Sequence, residues 1–229
     1  PDQVLFSERQ IDDVRAALDL VDRLRLGPAV LAGRCSGAYL AFRSALLDDR
    51  CKAAVIVNPF TFVWDDEESV DDALRYTPRS LADYGRRATS AEILRRLATG
   101  QIDIPRVVIN IAKQLARRAA ARAPAFMAPL SKYGRLRQAT HAAFKRLSDR
   151  NMPLSLIYSS TDVGLDRYHL YLGPEGEWLE RCGNVSVEIV RDADHNMSPP
   201  EARAFIRERI LASALQACPP GDDPSAPRN

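Results

Sequence analysis

The segment at residues 33–37, which reads Gly-Arg-Cys-Ser-Gly, constrains the fold of this chain more than any other feature. It follows an apolar run at residues 28–32 and precedes residues 38–42, whose pattern is typical of a helix. This order predicts a strand, a sharp turn and a helix, with Cys35 at the turn. Bulk at the flanks of such a turn would clash, so small residues are expected on both sides. The first N–H groups of the helix would stabilise a thiolate or an oxyanion at the turn. A buried Cys in a Gly-rich turn is the alternative interpretation.

Four strands are predicted, at residues 28–32, 53–58, 154–158 and 185–190. The second has consecutive apolar residues without alternation, which is typical of a strand buried on both faces of a parallel sheet. Helices are predicted at residues 11–24, 37–47 and 200–216. Strands that alternate with helices indicate an α/β fold with a parallel sheet.

A cysteine nucleophile needs a base, and the base needs a carboxylate that orients it. Of the three histidines, His195 lies in a loop between the fourth predicted strand and the last helix, so we take it as the base. His141 lies in a helical context that indicates a surface or capping position. His169 is expected to pack against its neighbours, with lining a pocket as the alternative.

The acid is expected in the loop that follows the third predicted strand. Asp162 is the candidate in that loop, and Asp166, one helical turn further on, is the alternative. The other interpretation of Asp162 is that it only caps a helix. Asp192 and Asp194 lie near His195 in sequence, but neighbours along one loop rarely reach the same ring productively.

Cys35, Asp162 and His195 follow one another in the order nucleophile, acid and histidine. With this order and the sequence around Cys35, the chain resembles the α/β-hydrolase superfamily over residues 11–211. The superfamily pattern usually has serine at the centre, where this chain has cysteine. The sequence at residues 33–41, 49–50, 54–59 and 80–100 is similar to that of hydrolases associated with bacterial exopolysaccharide and exosortase systems. The resemblance implies a cysteine hydrolase or acyltransferase.

The hydrolase core is predicted from residues 1–59 and 151–216, and residues 217–229 are predicted to form a disordered tail. Residues 60–150 form an insertion in which helices are predicted at residues 69–75, 80–87, 90–98, 105–122 and 134–148. Members of the superfamily that the chain resembles commonly carry a lid at this place, so we expect a helical cap over Cys35. A packed helical subdomain without a gating role is the alternative.

A complete α/β-hydrolase has several strands before the elbow strand, and only 27 residues precede Pro28 here. The N-terminal strands are therefore expected to be missing, and the edge of the elbow strand to be completed by a missing N-terminal segment or by a partner chain. The N–H of Ser36 would supply one oxyanion donor, and the second would lie elsewhere. Arg34, Asn58 and Phe60 are candidates for lining a substrate pocket under the cap.

The length of 229 residues supports one domain with a subdomain, and no apolar run is long enough to span a membrane. The four cysteines are Cys35, Cys51, Cys182 and Cys218. They lack metal-binding spacing, so neither a zinc site nor a disulfide framework is predicted, and no cofactor or metal is expected. A free active thiol indicates a reducing cytoplasm.

The net charge of +2 conceals an uneven distribution. Acidic residues cluster at residues 65–72, whereas residues 104–148 contain ten Lys and Arg and no Asp or Glu. Such a basic segment could contact an anionic membrane surface or an acidic partner such as an acyl carrier protein. A solvated Arg-rich face is the alternative. No nucleic-acid partner is expected, because a recognition motif is lacking.

Two functions are consistent with these patterns. The first is hydrolysis or acyl transfer on an ester or a thioester, through a Cys-His-Asp triad and an acyl-enzyme intermediate. A thiolate leaves readily, which favours thioester exchange over amide hydrolysis. The second is a non-catalytic binding module with the same fold, completed by a partner chain or by a missing N-terminal segment, in which Cys35 is inert.

Overall fold

The computed structural model describes residues 9–65 and 130–218, together with Phe6 and the isolated positions 112, 115, 116 and 119. The contacts separate the chain into two compact units, residues 1–64 with 139–229 and residues 65–138. The domain limits predicted above, and the cap among them, stay predictions. The helices predicted at residues 69–75, 80–87 and 90–98, the helix predicted at residues 105–122 apart from those four isolated positions, and nearly all of the predicted tail lie outside the described residues.

The described residues form four strands and the helices that connect them. In chain order the elements are α1 (Arg9–Arg23), β1 (Ala29–Arg34), α2 (Ser36–Leu47), β2 (Cys51–Val57), α3 (Lys132–Asp149), β3 (Leu154–Ser159), α4 (Gly164–Leu172), a 3-10 segment (Pro174–Arg181), β4 (Val185–Val190) and α5 (Pro200–Ala217). Among the helices that the structure describes, none has both the length and the apolar composition that a bilayer crossing requires.

The strands form one parallel sheet in the order β1-β2-β3-β4. In the register, Val55 of β2 pairs with Ala32 of β1 on one side and with Ser155 of β3 on the other. Lys52 is the one exposed residue of β2. This burial explains why the sequence of β2 lacks alternation: both faces of an interior parallel strand are covered. Because all strands run in one direction, the loops after them meet at one edge of the sheet.

Helices cover both faces of the sheet. On one face, Val55, Val57 and Ile157 form a buried cluster with Met197 and with residues of α5. Since side chains alternate along a strand, Ala54 and Ile56 point to the other face, and both are completely buried. A cluster of three aromatic rings, Phe42, Phe62 and Phe144, packs in the same unit with centroids 4.9 to 5.2 Å apart. These contacts give the layered core of an α/β domain.

The predicted fold class is confirmed: the structure contains the four predicted strands in one parallel sheet, with α1, α2 and α5 within a few residues of their predicted limits. The helix predicted at residues 134–148 is α3. The pattern did not resolve α4 and the 3-10 segment as separate elements, since both are short; Gly173 separates them, and Gly176 interrupts the 3-10 segment.

Candidate active site

The turn between β1 and α2 has the geometry of a nucleophile elbow. Cys35 joins the two elements with φ 57° and ψ −121°, on the side of conformational space that residues other than glycine rarely adopt. Its N–H donates to the carbonyl oxygen of Val57 at 3.0 Å, and its carbonyl oxygen accepts the N–H of Ala38 at 3.1 Å. These bonds to β2 and to the first turn of α2 hold Cys35 in a conformation that costs free energy.

The two glycines that flank Cys35 have different surroundings. A Cβ atom on Gly33 would lie 2.0 Å from the carbonyl oxygen of Gly37, so β1 passes too close to α2 for any side chain there. A Cβ atom on Gly37 would meet no atom within 4 Å among the residues that the structure describes. The expectation that bulk would clash at both flanks is therefore confirmed for Gly33 and wrong for Gly37.

The thiol of Cys35 is half-buried at the N-terminus of α2. Ser36 is the first residue of this helix, where an N–H group has no partner within the helix. The partial positive charge of the helix start therefore lies beside the thiol. Such a position favours negative charge on sulfur or on an oxygen bound nearby.

The other cysteines differ from Cys35 in burial or in place. All four are free. Burial raises the pKa of the Cys51 thiol to about 11, and burial also raises the pKa of the Cys182 thiol. Both therefore remain protonated at neutral pH and are poor nucleophiles. Cys218 is half-buried, like Cys35, but it follows the last residue of α5.

His195 and Asp162 form a pair at the same edge of the sheet. The Nδ1 atom of His195 lies 2.5 Å from Oδ2 of Asp162. A carboxylate only accepts hydrogen bonds, so Nδ1 carries the proton and Nε2 of the neutral ring is left as an acceptor. The side chain of Asp162 is 1% exposed, and that of His195 is 42% exposed. The alternative acid, Asp166, lies in the first turn of α4, and the ring of His195 contacts Asp162 instead.

Gly164 supports the second oxygen of the Asp162 carboxylate, and the sequence-based predictions missed it. Its N–H donates to Oδ1 of Asp162 at 2.7 Å. A Cβ atom on Gly164 would lie 2.2 Å from the carbonyl oxygen of Pro59 and 2.9 Å from Oδ1 itself. Asp162 therefore supports the start of α4 and also contacts His195, so the two interpretations of this residue are compatible. The available signal was a glycine two residues after a loop aspartate.

The loop that carries His195 is stabilised by its own side chains. Asp194 accepts hydrogen bonds from the N–H of Ser198 at 2.7 Å and from its hydroxyl at 2.8 Å. These bonds hold the pKa of the Asp194 carboxyl below its ordinary value. Met197 has φ 53° and is 1% exposed, so the loop turns sharply back into the core. Asp194 thus shapes the loop, as expected for a neighbour that does not orient the ring.

Asn58 is not a pocket residue. It follows β2 directly, is completely buried, and has φ 47°. Its side chain donates to the carbonyl oxygen of His195 at 2.9 Å and accepts the N–H of Ser159 at 2.7 Å. Both ends of the amide are bonded to backbone groups, and the complete burial of the residue separates the amide from an open pocket. The predicted role of Asn58 is therefore corrected from substrate contact to internal support.

The other two predicted pocket residues have distinct surroundings. Arg34 is exposed, and its Nη1 donates to Oδ1 of Asn196 at 2.8 Å, so the residue before Cys35 is bonded to the residue after His195. Phe60 is 3% exposed, with the guanidinium of Arg167 placed 4.4 Å from its ring centroid. A substrate contact by Arg34 or Phe60 stays a prediction.

A groove of about 430 Å³ lies beside Arg34, between β1 and α5. The apolar part of its lining comes from Ala32, Val57, Met197, Ile206 and Ile210, and the polar part includes Arg34, Arg203 and Arg207. β1 is the last strand on this side of the described sheet. An apolar groove beside an open strand edge is a surface that proteins usually cover.

The remaining histidines lie in α3 and α4. The ring of His141 is half-buried and stacks on Trp178 with centroids 4.2 Å apart, so its expected surface position is corrected. His169 is exposed and meets the ring of Tyr168 edge-on at 5.2 Å. Among the described residues, no three His, Cys, Asp or Glu side chains are grouped as metal ligands would be.

The fold and the site together define an α/β protein with an elbow after its first described strand and a histidine–carboxylate pair in the loops after β3 and β4. A model of the alpha/beta hydrolase family matches residues 6–208 of the chain. The chain therefore belongs to the alpha/beta hydrolase family.

Two solved structures illustrate what the chain is similar to. One comes from work on carboxylesterases of the ammonia-oxidizing thaumarchaeon Nitrososphaera gargenis, at 15% identity and a TM-score of 0.47, covering 91% of this chain and 73% of that chain. The other is an alpha/beta hydrolase from Sphaerobacter thermophilus DSM 20745, at 18% identity and a TM-score of 0.42, covering 92% of this chain and 76% of that chain. No curated protein sequence matches the chain.

Proposed function

We propose that this chain is a hydrolase or acyltransferase that acts on an ester or a thioester through Cys35, His195 and Asp162. The observation that carries the proposal is the contact of the buried Asp162 carboxylate with Nδ1 of His195. A buried carboxylate that fixes the tautomer of a partly exposed imidazole is the arrangement that general base catalysis requires. The elbow at Cys35 supplies a nucleophile at the same edge of the sheet.

In the proposed mechanism, Nε2 of His195 takes the proton of the Cys35 thiol, and Asp162 stabilises the resulting imidazolium. The sulfur attacks the carbonyl carbon, a C–S bond forms, and the carbonyl electrons move to oxygen. When the oxyanion collapses, the bond to the leaving alkoxide or thiolate breaks, and His195 returns the proton to that group. Water or an acceptor hydroxyl then attacks the acyl thioester with His195 as base, and Cys35 is regenerated.

The oxyanion would be stabilised by the N–H of Ser36 at the start of α2. We propose that a second donor lies beside the outer edge of β1, where a partner chain or a further segment would add a strand. The apolar groove between β1 and α5 supports this proposal, because an added strand or helix would cover it.

Contacts around the two reacting groups support their approach. Arg34 precedes Cys35 and donates to Asn196, which follows His195, at 2.8 Å. The backbone of Cys35 is bonded to the last residue of β2 at 3.0 Å. The loops that carry the thiol and the imidazole are therefore joined directly, which favours a proton transfer between them.

The test of the nucleophile is the rate at which iodoacetamide modifies each thiol near neutral pH. The protein should carry Cys218→Ser, because Cys218 is the other half-buried thiol. We expect one fast-reacting thiol, which Cys35→Ala removes and His195→Ala slows by about 10-fold or more, since the thiolate fraction falls without its base. Equal labelling with and without Cys35 would contradict the assignment.

The test of the reaction is turnover of activated acyl esters and thioesters of increasing chain length, with the unmodified protein and with Cys35→Ala. Acyl-enzyme should be visible by mass spectrometry as an adduct on Cys35. Ligand binding that survives Cys35→Ala, with no turnover by either protein, would instead identify the non-catalytic binding module. Release of the acyl group to an alcohol rather than to water would identify an acyltransferase.

An anionic membrane surface and an acyl carrier protein remain proposals as partners of the basic segment at residues 104–148. Lys132 forms an ion pair with Asp65 at 2.7 Å, and Lys145 with Asp149 at 2.8 Å. These two cations are already neutralised, which favours a solvated face over an anionic membrane or an acyl carrier protein. The link with exopolysaccharide systems depends on the resemblance of the elbow region alone, and the cytoplasmic location on the need for a reduced thiol.

A further inference from the structure

We infer that Asn58 is a positioning residue for the His195–Asp162 pair, an inference that depends on the function proposed above. The amide group of Asn58 joins two parts of the chain that are more than one hundred residues away in sequence. Its Nδ2 donates to the carbonyl oxygen of His195 at 2.9 Å, and its Oδ1 accepts the N–H of Ser159 at 2.7 Å.

Each of these two bonds acts on the backbone that carries one member of the pair. The first bond holds His195 by its own carbonyl group. The second holds Ser159, whose carbonyl oxygen in turn accepts the N–H of Asp162 at 3.0 Å. A single side chain therefore sets the separation between the segment that bears the imidazole and the segment that bears the carboxylate.

Asn58 is itself fixed to the sheet. Its N–H donates to the carbonyl oxygen of Ile157 at 2.8 Å, and its side chain is completely buried. It adopts φ 47°, a conformation that asparagine tolerates better than most residues. The residue before it, Val57, accepts the N–H of Cys35. Hydrogen bonds thus connect the end of β2 to the elbow, to the segment before Asp162 and to the loop that carries His195.

Asparagine is the side chain that this position requires. One donor and one acceptor are needed about 120° apart, and a carboxylate would provide only acceptors. Loss of the bond to Ser159 leaves a buried N–H without a partner, and loss of the other bond releases the half-buried carbonyl group of His195. The expected consequence is a shift of the His195 ring relative to the Asp162 carboxylate and to the Cys35 thiol. A displacement of about 1 Å can lower turnover by about 100-fold.

The test compares Asn58→Gly, which keeps the backbone conformation but removes both bonds, with Asn58→Asp, which keeps the size and removes the donor to His195. The matched control is Asn184→Gly. Asn184 lies before β4, at the opposite end of the sheet, and its Nδ2 donates to the carbonyl oxygen of Met152 at 2.6 Å. Thermal unfolding gives the fraction of folded protein for every variant, and rates are compared per folded molecule.

We expect both Asn58 variants to lower kcat for an activated ester by about 10- to 100-fold with little change in KM, and Asn184→Gly to change neither. The decisive measurement combines Asn58→Gly with Asp162→Asn. If Asn58 acts through the pair, the double variant should lose little more activity than Asp162→Asn alone. A merely structural role would multiply the two losses.

Three results separate this inference from the proposed function. Unchanged kcat in Asn58→Gly, or multiplicative losses in the double variant, would overturn the role of Asn58 while leaving the mechanism standing. Should Asn58→Gly fail to fold, Asn58→Asp and its combination with Asp162→Asn answer the same question. Absence of turnover and of fast Cys35 labelling in the unmodified protein would overturn both proposals.

Discussion

The two ends of the sheet are held together by different kinds of interaction. At the carboxyl end, Cys35, Asn58 and Met197 all have positive φ. There the side chains of Asn58 and Asp162 are buried and bonded to named groups at 2.5 to 2.9 Å. This end therefore combines backbone conformations of high energy with polar groups that are costly to leave unpaired.

At the amino end, Arg50 gathers three carboxylates in front of β2. It contacts Asp48 at 2.7 and 2.9 Å, Asp19 at 2.6 Å and Asp22 at 3.1 Å. The side chain of Arg50 is 32% exposed, and those of Asp19 and Asp22 are 61% and 56% exposed. Exposed ion pairs of this kind are screened by water and salt and contribute little to stability.

The two ends should therefore differ in how well they tolerate the loss of a hydrogen bond. The amino end can tolerate loss of a bond, because water replaces it. The carboxyl end cannot, because the side chains of Asn58 and Asp162 are shielded from water and its backbone depends on its neighbours. We therefore expect substitutions at the two ends to differ in the size of their effect and in the property that they change.

The largest effect is expected from Asp162→Asn. The amide can still accept the N–H of Gly164, so the fold should persist, but it no longer selects the tautomer of His195. Turnover of an ester should fall by about 1,000- to 10,000-fold, by analogy with acid-to-amide changes in other triads. Steady-state kinetics and far-UV circular dichroism of the same preparation check both statements.

Two aspartates near the site serve as controls for that change. Asp194→Asn alters the carboxylate that binds Ser198, and Asp166→Asn alters the alternative acid in α4. Each should leave turnover within about threefold of the unmodified protein, since neither contacts the ring of His195. A larger loss in Asp166→Asn than in Asp162→Asn would reverse the assignment of the acid.

An intermediate effect, on stability rather than on chemistry alone, is expected from Gly33→Ala. The new methyl group would meet the carbonyl oxygen of Gly37, which is backbone and cannot swing away. The free energy of unfolding should fall by about 2 kcal/mol or more, as in other overpacked sites. Urea unfolding with intrinsic fluorescence measures this change.

The matched variant is Gly37→Ala, on the other side of the elbow. Its methyl group has open space among the described residues, and alanine is the better helix former. This variant should gain about 0.5 kcal/mol of stability. Equal destabilisation by both substitutions would show that the two flanks of Cys35 are equivalent after all.

The smallest effect is expected from Arg50→Ala, at the other end of the sheet. The hydrogen bond from Arg50 is the main cause of the lowered pKa of Asp48, below its ordinary value of 3.8. A lowered folded-state pKa contributes stability above the unfolded value and loses it as the pH falls through the folded value. The loss in Arg50→Ala should therefore be small at neutral pH, smaller in high salt, and should shrink further as the pH falls below 3.8 through the folded-state pKa of Asp48. A deficit that does not diminish as the pH is lowered would contradict the ion-pair explanation.

The sheet and the pairing of His195 with Asp162 could be predicted from the sequence for a physical reason. A run such as that of β2 is apolar because both faces are covered, and the pattern survives in the sequence. Since β3 and β4 are adjacent and parallel, the loops after them had to meet, and so did the residues that they carry. The sequence left Asp162 and Asp166 both open as the acid, and only the contact of Asp162 with the ring of His195 separates them.

The rest depended on distances between segments that the sequence does not encode locally. Gly164 is small because Pro59, from the end of β2, passes beside it, and nothing in its own neighbourhood indicates that contact. Asn58 carried a recognisable signal, a buried strand followed by an amide, but the partners of that amide lie in β3 and in the histidine loop. The sequence predicts that a side chain would clash at Gly37 as it would at Gly33, but only the Cβ position of Gly33 is crowded.

The positive φ values at the carboxyl end have a consequence for anyone who wishes to move this site into another protein. Cys35, Asn58, Asp192 and Met197 adopt positive φ values that an isolated peptide of the same sequence would rarely populate. A graft of the five residues around the thiol would therefore transfer the sequence of the turn without its backbone conformation. Moving the site would require the strands together with the start of α2 and the loops that carry Asp162 and His195.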